Sequence, residues 1–459
     1  MKDPKQLIQS HKSFFETGKT RDISFIKRKL KRLKESIITN EDAIHQALYK
    51  DFKKPKFEAY ISEFGILISE IDIVLNNLSK WSKPKKVRAS KLNFPSKDYI
   101  YSEPYGTVLV IAPWNYPFQL AISPVISAIA AGNTVVLKPS EVSSHTAVII
   151  KTILSEIFDD AHLCVELGGV SETTTLLKER WDYIFFTGSV AVGKIIAKAA
   201  AVHLTPVTLE LGGKNPCIVD ESADIKLTAK RLVWGKFLNA GQTCIAPDYI
   251  LANNRIKADL VQHLKTEIFK AYGENPEISP NYPRIVNAKN LQRLTAMLED
   301  AEILVGGNSN SNDNYLAPTL VDNPKLDSKL MEGEIFGPIL PVLDYQTEKD
   351  IESVVKSYEK PLGFYIFSKN KAFCNSLIQK YSFGGGAIND TMIHFGNPRL
   401  PFGGVGESGI GAYRGHFGYE TFTHKKGITI KANWLDIPLR YAPYKYKLKL
   451  LKKAFKWLG

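Results

Sequence analysis

The chain has little cysteine: only Cys164, Cys217, Cys244 and Cys374 among 459 residues. They are too widely spaced to offer a zinc-site pair, so no metal site is expected. So sparse a set suits free thiols in a reducing compartment rather than a disulfide framework. Long apolar runs are also missing. No uninterrupted stretch reaches the length needed to cross a bilayer. Residues 1–9 are polar and lack the apolar run of a secretion signal, so a cytoplasmic protein is expected. Acid is in short supply too: 47 Asp and Glu stand against 60 Lys and Arg, a formal net charge of +13. Such an excess suggests either nucleic acid or an anionic membrane as a partner.

The placement of the charge argues against nucleic acid. Residues 27–34 read KRKLKRLK, with Leu30 and Leu33 at helical spacing, and suit a solvated helix face. Residues 79–91 carry six basic residues and no acid, with Pro84 among them, and read as a loop or linker. The patches are dispersed and not interleaved with aromatics, so no nucleic-acid partner is expected.

What is present is a regular alternation. Apolar runs at 107–111, 134–137 and 183–186 alternate with helical patterns at 120–130, 144–157 and 192–201. The alternation resumes with helices at 227–237, 259–271, 351–358 and 371–381 and strands at 249–251 and 363–367. Strands separated by helices predict parallel sheets covered on both faces, here in two α/β lobes.

Six short segments carry candidate chemistry. Cys244 follows the small polar loop NAGQT, where a thiol can be reached by substrate; a lone cysteine elsewhere is more often a packing residue. Glu210, in VTLELGGKNP, stands between two leucines. Apolar neighbours raise a carboxyl pKa toward the range useful for proton transfer, although an edge-strand glutamate can equally face solvent. Asn115, in IAPWNYPF, sits at a strand end between two prolines. Its amide suits an oxyanion, or merely a turn. Lys138 and Glu141 end another apolar run, where ligands of open α/β sheets bind and where a surface ion pair is the plainer reading. Gly188, Ser189 and Gly193 lie in FFTGSVAVGK, at a strand-to-helix turn whose free N–H groups suit a phosphate. This is not the G-x-G-x-x-G fingerprint. Glu334 and Phe336, in EGEIFGP, suit a sugar and a flat ring, or an ordinary loop with a core phenylalanine.

Together and in this order, these segments resemble the aldehyde dehydrogenase superfamily, from about Tyr101 to Lys425, and most nearly its shorter class 3 branch. The signs are NAGQTCIAPDY around Cys244, TGSVAVG at 187–193, LPFGGVGESGIGAYRG at 400–415 and IPLRYAPY at 437–444. Glu407 stands where this branch more often has Asn. The resemblance implies an α/β fold with a Rossmann-like cofactor domain (1–78 and 98–209), an α/β catalytic domain (210–417), a small bridging and oligomerisation segment (79–97 and 418–445) and a homodimer. It also implies oxidation of an aldehyde with NAD or NADP. In that scheme Cys244 is the nucleophile, Asn115 and the Cys244 N–H hold the oxyanion, and Glu210 activates the water that hydrolyses the thioester. Lys138 and Glu141 hold the adenosine ribose. Gly188, Ser189 and Gly193 lie under the pyrophosphate. Glu334 and Phe336 position the nicotinamide ribose and ring. Passing the acyl group to a thiol such as coenzyme A is the alternative within enzymes, and a non-catalytic binding protein on the same fold the alternative outside them. Glu210 favours water as acceptor. Cys217, Cys164 and Cys374 are expected to be packing thiols. Trp114 and Tyr116 suit either an apolar aldehyde tunnel or the core.

The tail, 446–459, is a basic amphipathic segment. Leu448, Leu451, Phe455 and Leu458 keep helical spacing, with Lys449, Lys452, Lys453 and Lys456 largely opposite. Such a helix suits contact with the inner face of the membrane and apolar, long-chain aldehydes as substrates; it equally suits packing on a partner subunit.

Overall fold

The computed structural model describes residues 3–436 and 438–458. Met1, Lys2, Ile437 and Gly459 lie outside the described residues, as do the side chains of Ala454, Trp457 and Leu458. The outer ends of the polar amino terminus and of the tail, the first residue of the IPLRYAPY match and the last apolar residue of the tail therefore fall outside them. Among the described residues no helix is long and apolar enough to cross a membrane.

The short apolar runs become two sheets. The first has the order Gly409–Ile410, Val207–Glu210, Tyr183–Thr187, Thr107–Ile111, Thr134–Lys138, Leu163–Val165. All neighbours are parallel except Gly409–Ile410, which is antiparallel to Val207–Glu210. Its central strands are buried along their whole length, as a sheet covered on both faces requires. Helices Gln119–Ala130 and Ser144–Ile157 cover one face, joined by Ile26, Leu30, Leu33 and Ile37 of the basic amino-terminal helix Ile23–Thr39. Leu7 and Ile8 of Pro4–Glu16 and Ile196 of Val190–Val202 pack on the other. The strand order reverses between Thr107–Ile111 and Tyr183–Thr187. The carboxyl ends of strands at such a reversal form the binding crevice of open α/β sheets.

The second sheet has the order Ile303–Val305, Thr319–Asp322, Ile339–Tyr345, Tyr249–Asn253, Pro216–Val219, Gly363–Phe367, Gly385–Ile388, parallel but for its first strand. Cys217 lies in it, fully buried; Cys164 and Cys374 are buried in Leu163–Val165 and Lys371–Lys380.

Three differences from the sequence expectation have physical causes. The helix expected at 351–358 runs Glu348–Val355, because Thr347 and Asp350 form a capping box that starts it earlier. The basic stretch expected as a loop at 79–91 contains the end of helix Gly65–Trp81 and a strand, Lys85–Val87. That strand joins Ser96–Pro104 and Thr423–Lys431 in an antiparallel three-stranded sheet, with Thr423 opposite Pro104 and Lys431 opposite Ser96. Thr423–Lys431 is exposed along most of its length, so it shows no alternation to read. This sheet spans the two stretches given to the bridging segment, but its middle strand continues past 97 to Pro104. Conversely, Gly409–Ile410 pairs with Leu209 and Glu210, and Phe402, Tyr413, Tyr419 and Phe422 pack in the core of the first lobe. Phe402 and Tyr413, from the range given to the catalytic domain, and Tyr419 and Phe422, from the range given to the bridging segment, therefore pack with that lobe.

Candidate active site

In a parallel sheet every carboxyl end lies along one edge, and four of the six sequence segments end strands of the first sheet. Asn115 follows Thr107–Ile111, Lys138 closes Thr134–Lys138, Gly188 follows Tyr183–Thr187 and Glu210 closes Val207–Glu210. Cys244 comes from the second lobe, on a loop after helix Ile225–Phe237.

That loop is held in an unusual conformation. Asn239, Ala240 and Gly241 have φ of 55°, 50° and 71°, three consecutive left-handed residues. The first two are not glycine, and for an alanine this region costs roughly 1–2 kcal/mol. The surroundings enforce it. Asn239 Nδ2 donates to the carbonyls of Asn115 (2.9 Å) and Gln242 (3.2 Å). Gln242 Nε2 donates to the carbonyls of Asn239 and Arg284, both at 3.0 Å, and its Oε1 accepts from Val286 N at 3.0 Å. Asn215 Nδ2 donates to the carbonyls of Cys244 (2.8 Å) and Ala246 (3.0 Å), while its Oδ1 accepts from Gly363 N (2.7 Å). At Gly241 a Cβ would collide with the Gly337 carbonyl, so no side chain fits.

Cys244 and Glu210 line the same cavity, of about 320 Å³, with Tyr116, Trp234, Phe395 and Phe402 among its largely apolar walls. Such a volume lies in the range of small-molecule sites. Cys244 is partly exposed, unlike the other three cysteines. Burial pushes its thiol pKa up, the Glu334 and Glu210 carboxyls add to this, and the N–H groups of Cys244 and Ile245 oppose it. Glu210 is buried, neither of its oxygens has a hydrogen-bond partner among the described residues, and burial holds its carboxyl well above the ordinary range. Asn115, next to the cavity-lining Tyr116, is buried, and its Nδ2 donates to the Gln242 carbonyl at 3.0 Å, with a second N–H for another acceptor. The two neighbouring aromatics divide: Tyr116 lines the cavity with its hydroxyl 2.6 Å from Thr243 Oγ1, whereas Trp114 packs edge-on against Phe336 at 5.4 Å.

The other sequence candidates surround the crevice. The Lys138 ammonium is buried and donates to the Pro139 carbonyl (2.7 Å) and to Glu141 Oε2 (3.4 Å); the Glu141 side chain stays 46% exposed. A half-open pair of this kind differs from a surface ion pair, because the buried ammonium fixes where the carboxylate reaches. Gly188 follows so closely on Phe186 that a Cβ would come within 2.5 Å of that ring, and its N–H donates to the Glu210 carbonyl at 3.0 Å. Ser189 caps helix Val190–Val202, its Oγ accepting from Val192 N at 3.4 Å. Gly193 packs that helix against Leu211. Glu334 is half-buried against Gly212; burial and the Asp248 carboxylate push it up to about 8, while the Gly213 N–H opposes. Phe336 has a left-handed φ of 49°.

Several supporting residues escaped the sequence reading. Lys214, buried beside Asp248 at 2.8 Å, donates to the carbonyls of Leu330 (2.8 Å) and Gly333 (2.7 Å). Asp248 Oδ1 accepts from Ile335 N (3.0 Å), so the pair holds the loop that carries Glu334 and Phe336. Asn215, Asn239 and Gln242 hold the Cys244 loop. Their signal was faint: polar residues in glycine-rich stretches, which loops contain for many reasons. A clearer signal lay upstream, where Glu63 and Glu70 fall on the buried stripe of Leu67, Ile71, Val74 and Leu78.

The aldehyde dehydrogenase family model matches residues 2–428, including the amino-terminal helices. The chain is 48% identical to the 4,4'-diaponeurosporen-aldehyde dehydrogenase of Staphylococcus aureus, over 98% of this chain and 99% of that one. It is 42% identical to the dimeric NADP-preferring aldehyde dehydrogenase of Rattus norvegicus, over 93% and 94%. The solved structure of substrate-bound Staphylococcus aureus AldH superposes with a TM-score of 0.97 at 48% identity, covering 99% of this chain and 100% of that one. The chain belongs to the aldehyde dehydrogenase family. Its activity is the oxidation of an aldehyde to the carboxylic acid with NAD or NADP.

Proposed function

We propose that Cys244 is the nucleophile of this reaction, Asn115 with the Cys244 N–H its oxyanion donor, Glu210 its general base, and a long apolar aldehyde its substrate. The observation that carries the reading is that Cys244 and Glu210 meet in one apolar cavity. The Cys244 thiolate adds to the aldehyde carbon, and the oxygen takes up charge against the free N–H of Asn115. A bound nicotinamide cofactor would supply the hydride acceptor that turns the thiohemiacetal on Cys244 into a thioester. Glu210 then takes a proton from the water that attacks the thioester, and the carboxylic acid leaves. The chain offers a fitting cradle for the cofactor. Lys138 and Glu141 would hold the adenosine ribose, the N-terminus of Val190–Val202 with Gly188, Ser189 and Gly193 would receive the pyrophosphate, and Glu334 and Phe336 would orient the nicotinamide ribose and ring. In domain terms, the first sheet belongs to cofactor binding, the second to catalysis and the third to bridging.

Apolar walls stabilise a substrate by the area they take from water, about 25 cal/mol per Å². With a panel of aldehydes of increasing length, and NAD and NADP in parallel, kcat/KM is expected to rise with chain length. By the same arithmetic each added methylene in contact is worth about 0.8 kcal/mol, roughly fourfold. A panel peaking at short or charged aldehydes would sink the substrate assignment.

The tail adds a surface. Helix Lys447–Leu458 has twelve residues, about 18 Å, against a hydrocarbon core of about 30 Å, so it suits lying on a bilayer rather than spanning it. Leu448, Leu450 and Phe455 are exposed among its lysines, while Leu451 and Phe455 also face a groove against Leu92 and Leu439. This supports peripheral contact with an anionic membrane. The exposed edge strand Thr423–Lys431, with Ile428 and Ile430 on its surface, supports the homodimer named for the rat relative. Deleting 445–459 is expected to abolish co-sedimentation with anionic vesicles and leave a dimer that still oxidises short aldehydes. Undiminished vesicle binding would rule the surface out, and a monomeric mass for both forms would rule out the dimer.

A further inference from the structure

Three buried ionisable side chains from one short segment, Lys54, Glu58 and Glu63, stand behind the loops that carry Asn115 and Cys244. All are almost fully buried. Isolated charges are costly in such a place, so each must be paired or hydrogen-bonded. Lys54 Nζ donates to Glu63 Oε1 at 2.5 Å and sits 4.0 Å over the ring of Tyr116. Glu63 Oε2 accepts from the N–H groups of Phe118 (2.9 Å) and Gln119 (3.3 Å), just after the Asn115 loop. The wide turn Tyr60–Phe64 carries Glu63. Glu58 reaches the other loop: its Oε2 accepts from Asn239 N at 3.0 Å, the first of the three left-handed residues before Cys244.

Asn239 joins the two loops, since its side chain donates to the Asn115 carbonyl. Its main chain must point the N–H away from any helical or strand partner, and Glu58 supplies the acceptor. Without it a buried N–H would be left unmet, which opposes the left-handed turn at Asn239 and Ala240.

We propose that Glu58 is a positioning residue for the oxyanion site: by accepting the Asn239 N–H it fixes the left-handed turn on which the placement of Cys244 and the Asn115 amide depends. The role rests on the reading of Cys244 and Asn115 given above. What it requires is an oxygen acceptor at the right reach, not a charge. Burial pushes the Glu58 carboxyl up to about 7, against the opposing Asn239 N–H and Lys54 ammonium, so an amide of the same length is a fair replacement at neutral pH.

The test compares Glu58→Gln, Glu58→Ala and Glu58→Asp in the full chain, with rates normalised to the Cys244 thiol titrated at each active site. Glu58→Ala is expected to lower kcat on the order of 10²-fold, the loss typical of an ångström-scale misplacement. KM values for aldehyde and cofactor should stay within about twofold, because the cavity walls and cofactor cradle are untouched. Glu58→Gln should remain within roughly threefold of wild type. Glu58→Asp, which keeps the charge but withdraws the acceptor, should fall with alanine, and serves if the alanine variant does not fold. Unchanged kcat in Ala and Asp overturns the proposal, as does a loss in Gln equal to that in Ala. A wild type whose activity survives Cys244→Ala would instead overturn the underlying reading.

Discussion

Cys244→Ala is expected to lower aldehyde-dependent reduction of NAD or NADP by at least ~10⁴-fold, comparable to the loss of a nucleophile in other covalent enzymes. Four orders of magnitude correspond to roughly 5.5 kcal/mol of transition-state stabilisation. No other thiol can substitute. Cys164, Cys217 and Cys374 are buried in the cores of the sheets or of a covering helix and do not line the cavity. The fold should survive, since the change removes one sulfur from a partly exposed position and none of the hydrogen bonds that hold the loop. Absorbance of the reduced cofactor at pH 8 gives the rate, and circular dichroism with cofactor binding establishes that the variant is folded. Residual turnover above about one per cent would mean that the chemistry does not pass through this sulfur.

Glu210→Gln is expected to separate the two halves of the reaction. One equivalent of reduced cofactor per active site should appear in a burst, followed by a steady state slower by about 10²–10⁴-fold, the usual contribution of a general base. The reason lies in the environment of the side chain. Among the described residues its oxygens have no partner, and burial favours the protonated form, so the group stays an acid to higher pH than an exposed glutamate would. A base is the deprotonated form, and a raised pKa moves that form to higher pH. The Cys244 thiol is raised in the same sense and must also lose its proton to attack. Wild-type kcat should therefore keep climbing with pH beyond the ordinary carboxylate range rather than level off within it. In Glu210→Gln the burst rate should keep its alkaline rise, which belongs to Cys244, while the steady-state rate loses the part due to Glu210. If burst and steady state fall together, Glu210 acts before hydride transfer, and its assignment to thioester hydrolysis fails.

These two residues also show how far the sequence could be read. Cys244 stood out because polar, glycine-containing residues break the helix pattern before it, and its motif specified the family. Glu210 was readable as a carboxylate among leucines. The Trp114–Tyr116 pair was not resolvable, since two aromatics on either side of an asparagine carry no sign of which one faces a cavity. The edge strand Thr423–Lys431 was invisible for a different reason: a strand with both faces largely in water has no hydrophobic period.

By itself the sequence determined the two parallel lobes, through the burial that their continuous apolar strands demand, and it determined the chemistry-bearing residue types at the strand ends. Only the tertiary structure decided which of these meet. Cys244 and Glu210 share a cavity, Asn115 is hydrogen-bonded to the loop before Cys244, and Glu58, nearly two hundred positions from Cys244, accepts a hydrogen bond from that same loop. Local patterns report periodicity and burial along one element. The partner of a buried polar group is chosen by packing between elements distant in the chain, and no local pattern records it.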